Sequence, residues 1–241
     1  MPFLKNVRIE PDLIRKGEFP FTMPLFSSGL EIEFTSSITF LVGENGSGKS
    51  TLIEAIAENC GFNRSGGSRN HVYSSQEQSS GLASALKLSW MPKVTNGFFM
   101  RAESFYNFAA YLDEMEEDDP GILDAYGGRS LLRQSHGESF LSLFTNRFHK
   151  GIYLLDEPEA ALSPSRQLSF LVLLHELELA GNAQFIIATH SPILIGYPGA
   201  VILSLDGGRI TPIPYEEAPQ YQLTRDFLNH PQQYLNDLFA D

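Results

Sequence analysis

The 241-residue sequence contains one cysteine, Cys60, one tryptophan, Trp90, and no apolar run of bilayer-spanning length. A single thiol excludes an internal disulfide and cannot by itself make a thiolate metal cluster. His71, His136, His149, His175 and His230 lack metal-ligand spacing with Cys60, so no zinc site is expected. Apolar stretches such as "SFLVLLHELELAG" are broken by charge well short of the roughly 20 residues a spanning helix needs. The start, "MPFLKNVRIEP", has no apolar core followed by a small-residue cleavage site. The expectation is a cytoplasmic protein without a transmembrane segment. Positive charge is also scarce, with 17 Lys and Arg against 29 Asp and Glu and a formal charge of -12. The average field therefore repels nucleic acid and anionic membrane, and a nucleic-acid partner is not indicated by charge.

With 42% hydrophobic residues, there is enough apolar material for a real core. One compact domain is expected over residues 1–241, with a loop-rich insertion at about 61–90 where "GFNRSGGSRNHVYSSQEQSSG" turns to Ser, Gly and Asn. "FLKNVRIEP" and "GLEIEF" alternate as strands do, and "SSITFLVG" is a short apolar run of the kind found in buried strands. "LKLSW" and "NGFFMRAES" read as further strands, and "FYNFAAYLDEM" reads as a helix. In the last third, the strands "GIYLLDE" and "AQFIIATH" flank a helix capped by Ser163 with Pro164 in its first turn. "AVILSLDGGRITPIP" predicts a hairpin turning at Asp206, Gly207 and Gly208, followed by a helical tail from about Gln220. Strands alternating with helices predict an α/β fold with a mainly parallel sheet and antiparallel strands at its N-terminal edge.

Three stretches carry chemistry. "GENGSGKS" matches G-x-x-x-x-G-K-[ST] directly after a strand and at the opening of a helix. Glycines allow the backbone N–H groups to wrap closely around phosphate, and the helix N-terminus favours the same negative charge. On this reading Gly43, Glu44, Asn45, Gly46, Ser47, Gly48, Lys49 and Ser50 hold nucleotide phosphates. Lys49 neutralises the outer two, and Ser50 is a ligand of Mg²⁺. "IYLLDEPEAAL" places Asp156 at the C-terminal end of a buried strand, where it can hold Mg²⁺, with Glu157 next to it as a general base for water. "FIIATHSP" ends another buried strand at Thr189 and His190, on the edge where phosphates would sit. A fourth stretch, "LLRQSHGESFLSLF", has two readings: Ser135 and Glu138 can form a capping box, and the Ser-x-Gly helix start can meet a phosphate.

The order of these pieces resembles the nucleotide-binding domain of the ATP-binding-cassette superfamily. "DEP" and "THSP" are similar to its chromosome-maintenance and break-repair branch. "VGENGSGKSTLIEAIA", "GFFMRAESF", "QSHGES", "LLDEPEAALSP" and "FIIATHSPIL" resemble compact stand-alone bacterial ATPases loosely filed as AAA-family. The resemblance implies a helical signature subregion at about 100–150, ATP phosphates held by Gly43 to Thr51, and γ-phosphate sensing by His190. It implies that Ser135 and Gly137 contact ATP held by a second copy in an ATP-dependent head-to-tail homodimer, and that turnover drives a protein partner. The family's Q-loop glutamine is missing, which leaves Glu103 as the nearest substitute near the metal. Ser163 stands where the D-loop usually carries aspartate. Phe19, Phe21 and Phe26 are equal candidates to stack on adenine. Two other settings for such an ATPase are a membrane transporter and a nucleic-acid maintenance or defence system.

Overall fold

The computed structural model describes residues 1–64, 66–69, 81–147 and 150–240. His71, His149 and, within the Ser/Gly/Asn-rich insertion, residues 65 and 70–80 lie outside them. In chain order the elements are β1 (Leu4–Ile9), β2 (Glu31–Glu33), β3 (Ile38–Val42), α1 (Lys49–Cys60), α2 (Gly81–Ala85), β4 (Leu86–Trp90), β5 (Gly97–Arg101), α3 (Phe105–Asp118) and α4 (His136–Arg147). They continue with β6 (Gly151–Asp156), α5 (Pro164–Leu179), β7 (Ala183–Ala188), β8 (Val201–Ser204), β9 (Thr211–Pro212), α6 (Pro219–Asn229) and α7 (Pro231–Leu238).

The main sheet has the order β5-β6-β7-β3-β8-β9 and is parallel except for β9, which returns antiparallel to β8. Every residue of β3, β6 and β7 is buried, because helices or a second sheet cover both faces. Alternate side chains therefore enter two different cores. Phe40, Tyr153, Leu155, Phe185 and Ile187 pack toward Phe108, Phe140 and Phe170 of α3, α4 and α5. Leu41, Leu154, Ile186 and Ala188 pack with Leu52, Ile53 and Ile56 of α1 and with Leu4 and Val7 of β1.

Two expectations change. The antiparallel strands do not edge the parallel sheet; β2-β1-β4 is a separate three-stranded sheet lying across its α1 face. Residues 81–85, expected within the loop-rich insertion, form α2, and β4 is the strand expected at "LKLSW". Leu82, Ala83, Ala85 and Leu86 are buried there against α1 and the first strand, and that burial offsets the cost of ordering the segment.

One buried amide ties the two sheets together. Gln184 on β7 accepts from the N–H groups of Phe3 and Leu4, both at 2.8 Å, and donates to the Leu4 carbonyl at 3.0 Å. These groups sit beside a register shift between Leu4 and Asn6, where the β1–β4 ladder is interrupted. Gln184→Leu strands three buried backbone groups at once. It is expected to destabilise the protein by about 3–5 kcal/mol, since each unpaired group costs roughly 1–3 kcal/mol. Urea unfolding followed by circular dichroism measures this.

Candidate functional site

The loop between β3 and α1 is fixed by glycines. Gly43, Gly46 and Gly48 have φ of 147°, 82° and 102°. At Gly48 a Cβ would come within 3.0 Å of Phe26 Cζ and 3.2 Å of Leu25 Cδ2, so neither its backbone angle nor its packing admits a side chain. Lys49, the first residue of α1, is buried, and its Nζ donates to the carbonyls of Gly43 at 2.7 Å and Glu44 at 3.1 Å. Burial lowers its pKa below the ordinary lysine value, opposed by the nearby carboxylates of Glu157, Asp156 and Asp206. Its ammonium thus rests on loop carbonyls with charge available for an anion.

Asp156 and Ser50 come together although they are 106 residues apart. The Ser50 hydroxyl donates to Asp156 Oδ1 at 3.1 Å. A hydroxyl and a carboxylate converging at a buried strand end are hard oxygen donors of the kind Mg²⁺ takes, so these residues fit the ion. Burial pushes the Asp156 pKa up to about 6, against the opposing pull of Arg101 and of the Ser50 hydrogen bond. Between its ordinary value of 3.8 and about 6, the folded protein holds a proton that the unfolded chain has lost. The group's contribution to stability is therefore complete below about 3.8 and is lost as the pH rises through about 6. In metal-free buffer Asp156→Asn is expected to be the more stable protein at pH 7.5, by about 1–3 kcal/mol. The difference should vanish near pH 4, which thermal melts across that range measure.

Glu157 has φ 51°, the only non-glycine at positive φ among the described residues. A glutamate held in the left-handed region costs of order 1–3 kcal/mol, and such strain clusters at functional sites. Its N–H is anchored on the Ala188 carbonyl of β7 at 2.9 Å, while its side chain stays partly exposed. Glu157 Oε1 lies 3.8 Å from His190 Nε2, a buried atom with no hydrogen-bond partner among the described residues. The His190 N–H is held by Glu159 Oε1 at 2.6 Å. Burial raises the Glu159 pKa, and that hydrogen bond opposes the rise.

Two cavities meet this cluster. One, of about 210 Å³, is lined by Ser50, Arg101, Glu103, Asp156, Glu157 and the alanines that follow them. The other, of about 250 Å³, lies over the loop between Asn45, Gly46, Gly48, Lys49 and Thr51 on one side and Phe19 and Met23 on the other. Phe21 and Phe26 are buried in the core, whereas Phe19 is 71% exposed, so of the three aromatics Phe19 alone faces the loop cavity.

Two family profiles match. Residues 22–87 match one described as an AAA domain, and residues 129–196 match one described as an AAA domain and candidate AbiEii toxin of a type IV TA system. The thiamine import ATP-binding protein ThiQ of Rhizobium meliloti (strain 1021) is 28% identical over 224 aligned positions, covering 82% of this chain and 91% of its own. The nucleotide-free ATP-binding cassette of an ABC transporter superposes with a TM-score of 0.52 at 20% identity, covering 95% of this chain and 96% of that one. CbiO1 of Clostridium perfringens, part of the transporter complex CbiONQ, gives 0.52 at 16%, with 96% and 97% covered. The chain has the P-loop fold of the ATP-binding-cassette ATPases. Among its described residues no helix is long and apolar enough to cross a membrane.

Within this ATP-binding-cassette fold, Ser135 and Gly137 line neither cavity; they stand at the start of α4. The capping box is only half formed. Glu138 Oε2 accepts from the Ser135 N–H at 3.2 Å as expected, but the Ser135 hydroxyl donates to the same carboxylate at 2.7 Å instead of capping the helix. Glu138 Oε1 faces Arg166 at 3.4 Å. The hydrogen bonds from Ser135, then the Arg166 charge, hold the Glu138 pKa below its ordinary value. Glu103, the substitute for the missing glutamine, lines the cavity of Ser50 and Asp156, with its side chain 82% exposed and paired with Arg101 at 3.3 Å. Ser163 caps α5, accepting from the Arg166 N–H at 3.4 Å. Arg64 is paired with Glu54 and Glu58, and Arg69 donates to the Cys60 carbonyl.

Two residues of this candidate site carry no signal in the sequence. Asp206 accepts from the Glu44 N–H at 2.8 Å, and Ser204 donates to its other oxygen at 3.1 Å, so the β8–β9 turn braces the phosphate loop. Arg101, at the end of β5, touches the carboxylates beside Ser50.

Proposed function

We propose that the protein binds ATP with Mg²⁺ on residues 43–51 and hydrolyses it, and that nucleotide state switches it between a free form and a head-to-tail pair that drives a protein partner. The observation that carries this reading is the meeting of Lys49, Ser50, Asp156, Glu157 and His190 at the C-terminal ends of β3, β6 and β7. Lys49 and the loop N–H groups bind the phosphates, and Phe19 offers a face to the base. Ser50 and Asp156 hold the metal, which when bound supplies charge neutralisation to the phosphates. Glu157 takes the proton of the attacking water, and its partial exposure leaves it reachable. His190 turns its unpaired Nε2 to the terminal phosphate and reads whether it is there.

Ser135 and Gly137 do not line the loop cavity of their own chain, and in this reading a second copy brings them to phosphate. Pairing then requires the Ser135 hydroxyl to leave Glu138. Ser135→Ala is expected to weaken ATP-driven pairing by at least about tenfold while leaving ATP affinity of the single chain unchanged, because the lost contact is a hydrogen bond to a charged group. Sedimentation velocity with and without ATP, beside fluorescent-nucleotide titration, tests both halves. Pairing that survives the substitution rejects the role given to Ser135.

A second reading, an ATPase subunit of a membrane transporter, is favoured by the relative named for thiamine import. Stable co-purification with a membrane subunit would establish it. A nucleic-acid maintenance or defence role is disfavoured by the charge of -12, and would require hydrolysis stimulated by DNA in a steeply salt-dependent way.

A further inference from the structure

Arg101 is the last residue of β5 and the register partner of Asp156, the last residue of β6. Its guanidinium meets three carboxylates. Nη1 is 2.8 Å from Glu54 Oε1, Nη2 is 3.3 Å from Glu103 Oε2, and Nε is 3.6 Å from Asp156 Oδ2. Nε is buried and its distance to Asp156 is too long for a hydrogen bond, so that contact is one of charge. Ser50 holds the opposite oxygen of the same carboxylate. Glu54 is four residues after Ser50 and therefore on the same face of α1. The chain Ser50–Asp156–Arg101–Glu54 closes a ring that begins and ends on the helix carrying the phosphate loop.

We infer that Arg101 is a positioning residue that holds Asp156 in the absence of metal and makes divalent-cation binding conditional on nucleotide. Glu103, Asp156 and Glu157 line this cavity with Ser50, and Glu54 faces it from behind Arg101, so the cation's approach to Asp156 runs past the guanidinium. The Arg101 side chain is only 24% exposed, so solvent screens it weakly. While it stands there, a cation approaching Asp156 meets a positive charge already beside the carboxylate. The phosphates of a nucleotide bring the negative charge that offsets this repulsion. The inference rests on the Mg²⁺-and-ATP reading above and adds the order in which the ligands arrive.

The test uses Mn²⁺ as the probe, with free ion counted by electron paramagnetic resonance, on the full chain without nucleotide and then with ATP. Arg101→Gln is expected to bind Mn²⁺ without nucleotide at least about tenfold tighter than the wild type, because a unit charge a few ångströms away in a weakly screened site contributes at least that factor. Arg101→Lys, which keeps the charge, should stay near the wild type, and ATP should load all three. A merely structural role would loosen the site and weaken Mn²⁺ binding. Should the glutamine variant lack the near-ultraviolet circular dichroism of the wild type, Arg101→Met carries the same prediction with an apolar stem. Equal or weaker nucleotide-free binding in the neutral variant, or an equal gain in the lysine variant, overturns the inference. A wild type that takes up no Mn²⁺ even with ATP instead rejects the reading of the site itself.

Discussion

Glu157→Gln is expected to lower ATP turnover by about 10²- to 10⁴-fold while leaving ATP binding intact, the range typical for removal of a general base. The amide keeps the size and the hydrogen-bonding reach of the carboxylate, so the backbone anchor on Ala188 is undisturbed. It cannot accept the proton of the attacking water. The side chain is partly exposed and stands 3.8 Å from His190 Nε2, beyond hydrogen-bond distance, so the substitution breaks no hydrogen bond there and little stability should be lost. Phosphate release under saturating ATP and Mg²⁺, beside equilibrium binding of labelled ATP, separates the two effects. A loss of turnover accompanied by an equal loss of binding would assign Glu157 to the phosphates and not to water.

Lys49→Ala is expected to act in the opposite sense, on binding first. The ammonium makes two hydrogen bonds to loop carbonyls, which phosphate oxygens would replace, and each charged bond is worth about 1.5–3 kcal/mol. Loss of two weakens ATP by about 10²- to 10⁴-fold. Fold stability should change little, since the same substitution removes a buried, partly desolvated charge whose pKa burial has already lowered. Isothermal titration with ATP and a thermal melt of the nucleotide-free variant measure the pair of outcomes. Wild-type affinity in the variant would remove the loop from the site.

The parts legible from sequence were those whose physics is local. A run of buried strand residues, three loop glycines and a helix start give the phosphate loop within a dozen positions, and Asp156, Glu157 and His190 announce themselves by following apolar runs. Asp206 was read only as a turn, because its hydrogen bond to Glu44 spans 162 positions and depends on β8 lying beside β3. Arg101 carried no signal for the same reason: its importance comes from the pairing of β5 with β6. Phe19, Phe21 and Phe26 are alike as letters, and only burial separates them. The Ser-x-x-Glu spacing gave the meeting of Ser135 with Glu138 but not which group donates, since a hydroxyl can turn either way. Gln184 lies inside the strand "AQFIIATH", and its role as the clasp between two sheets depends on partners 180 positions away.

Light scattering on Glu157→Gln with ATP and Mg²⁺ tests whether ATP binding pairs two chains and hydrolysis parts them. The mass is predicted to double from the 26.8 kDa of one chain and to fall back when ATP is replaced by ADP. A variant that remains at 26.8 kDa with ATP demonstrably bound would contradict it.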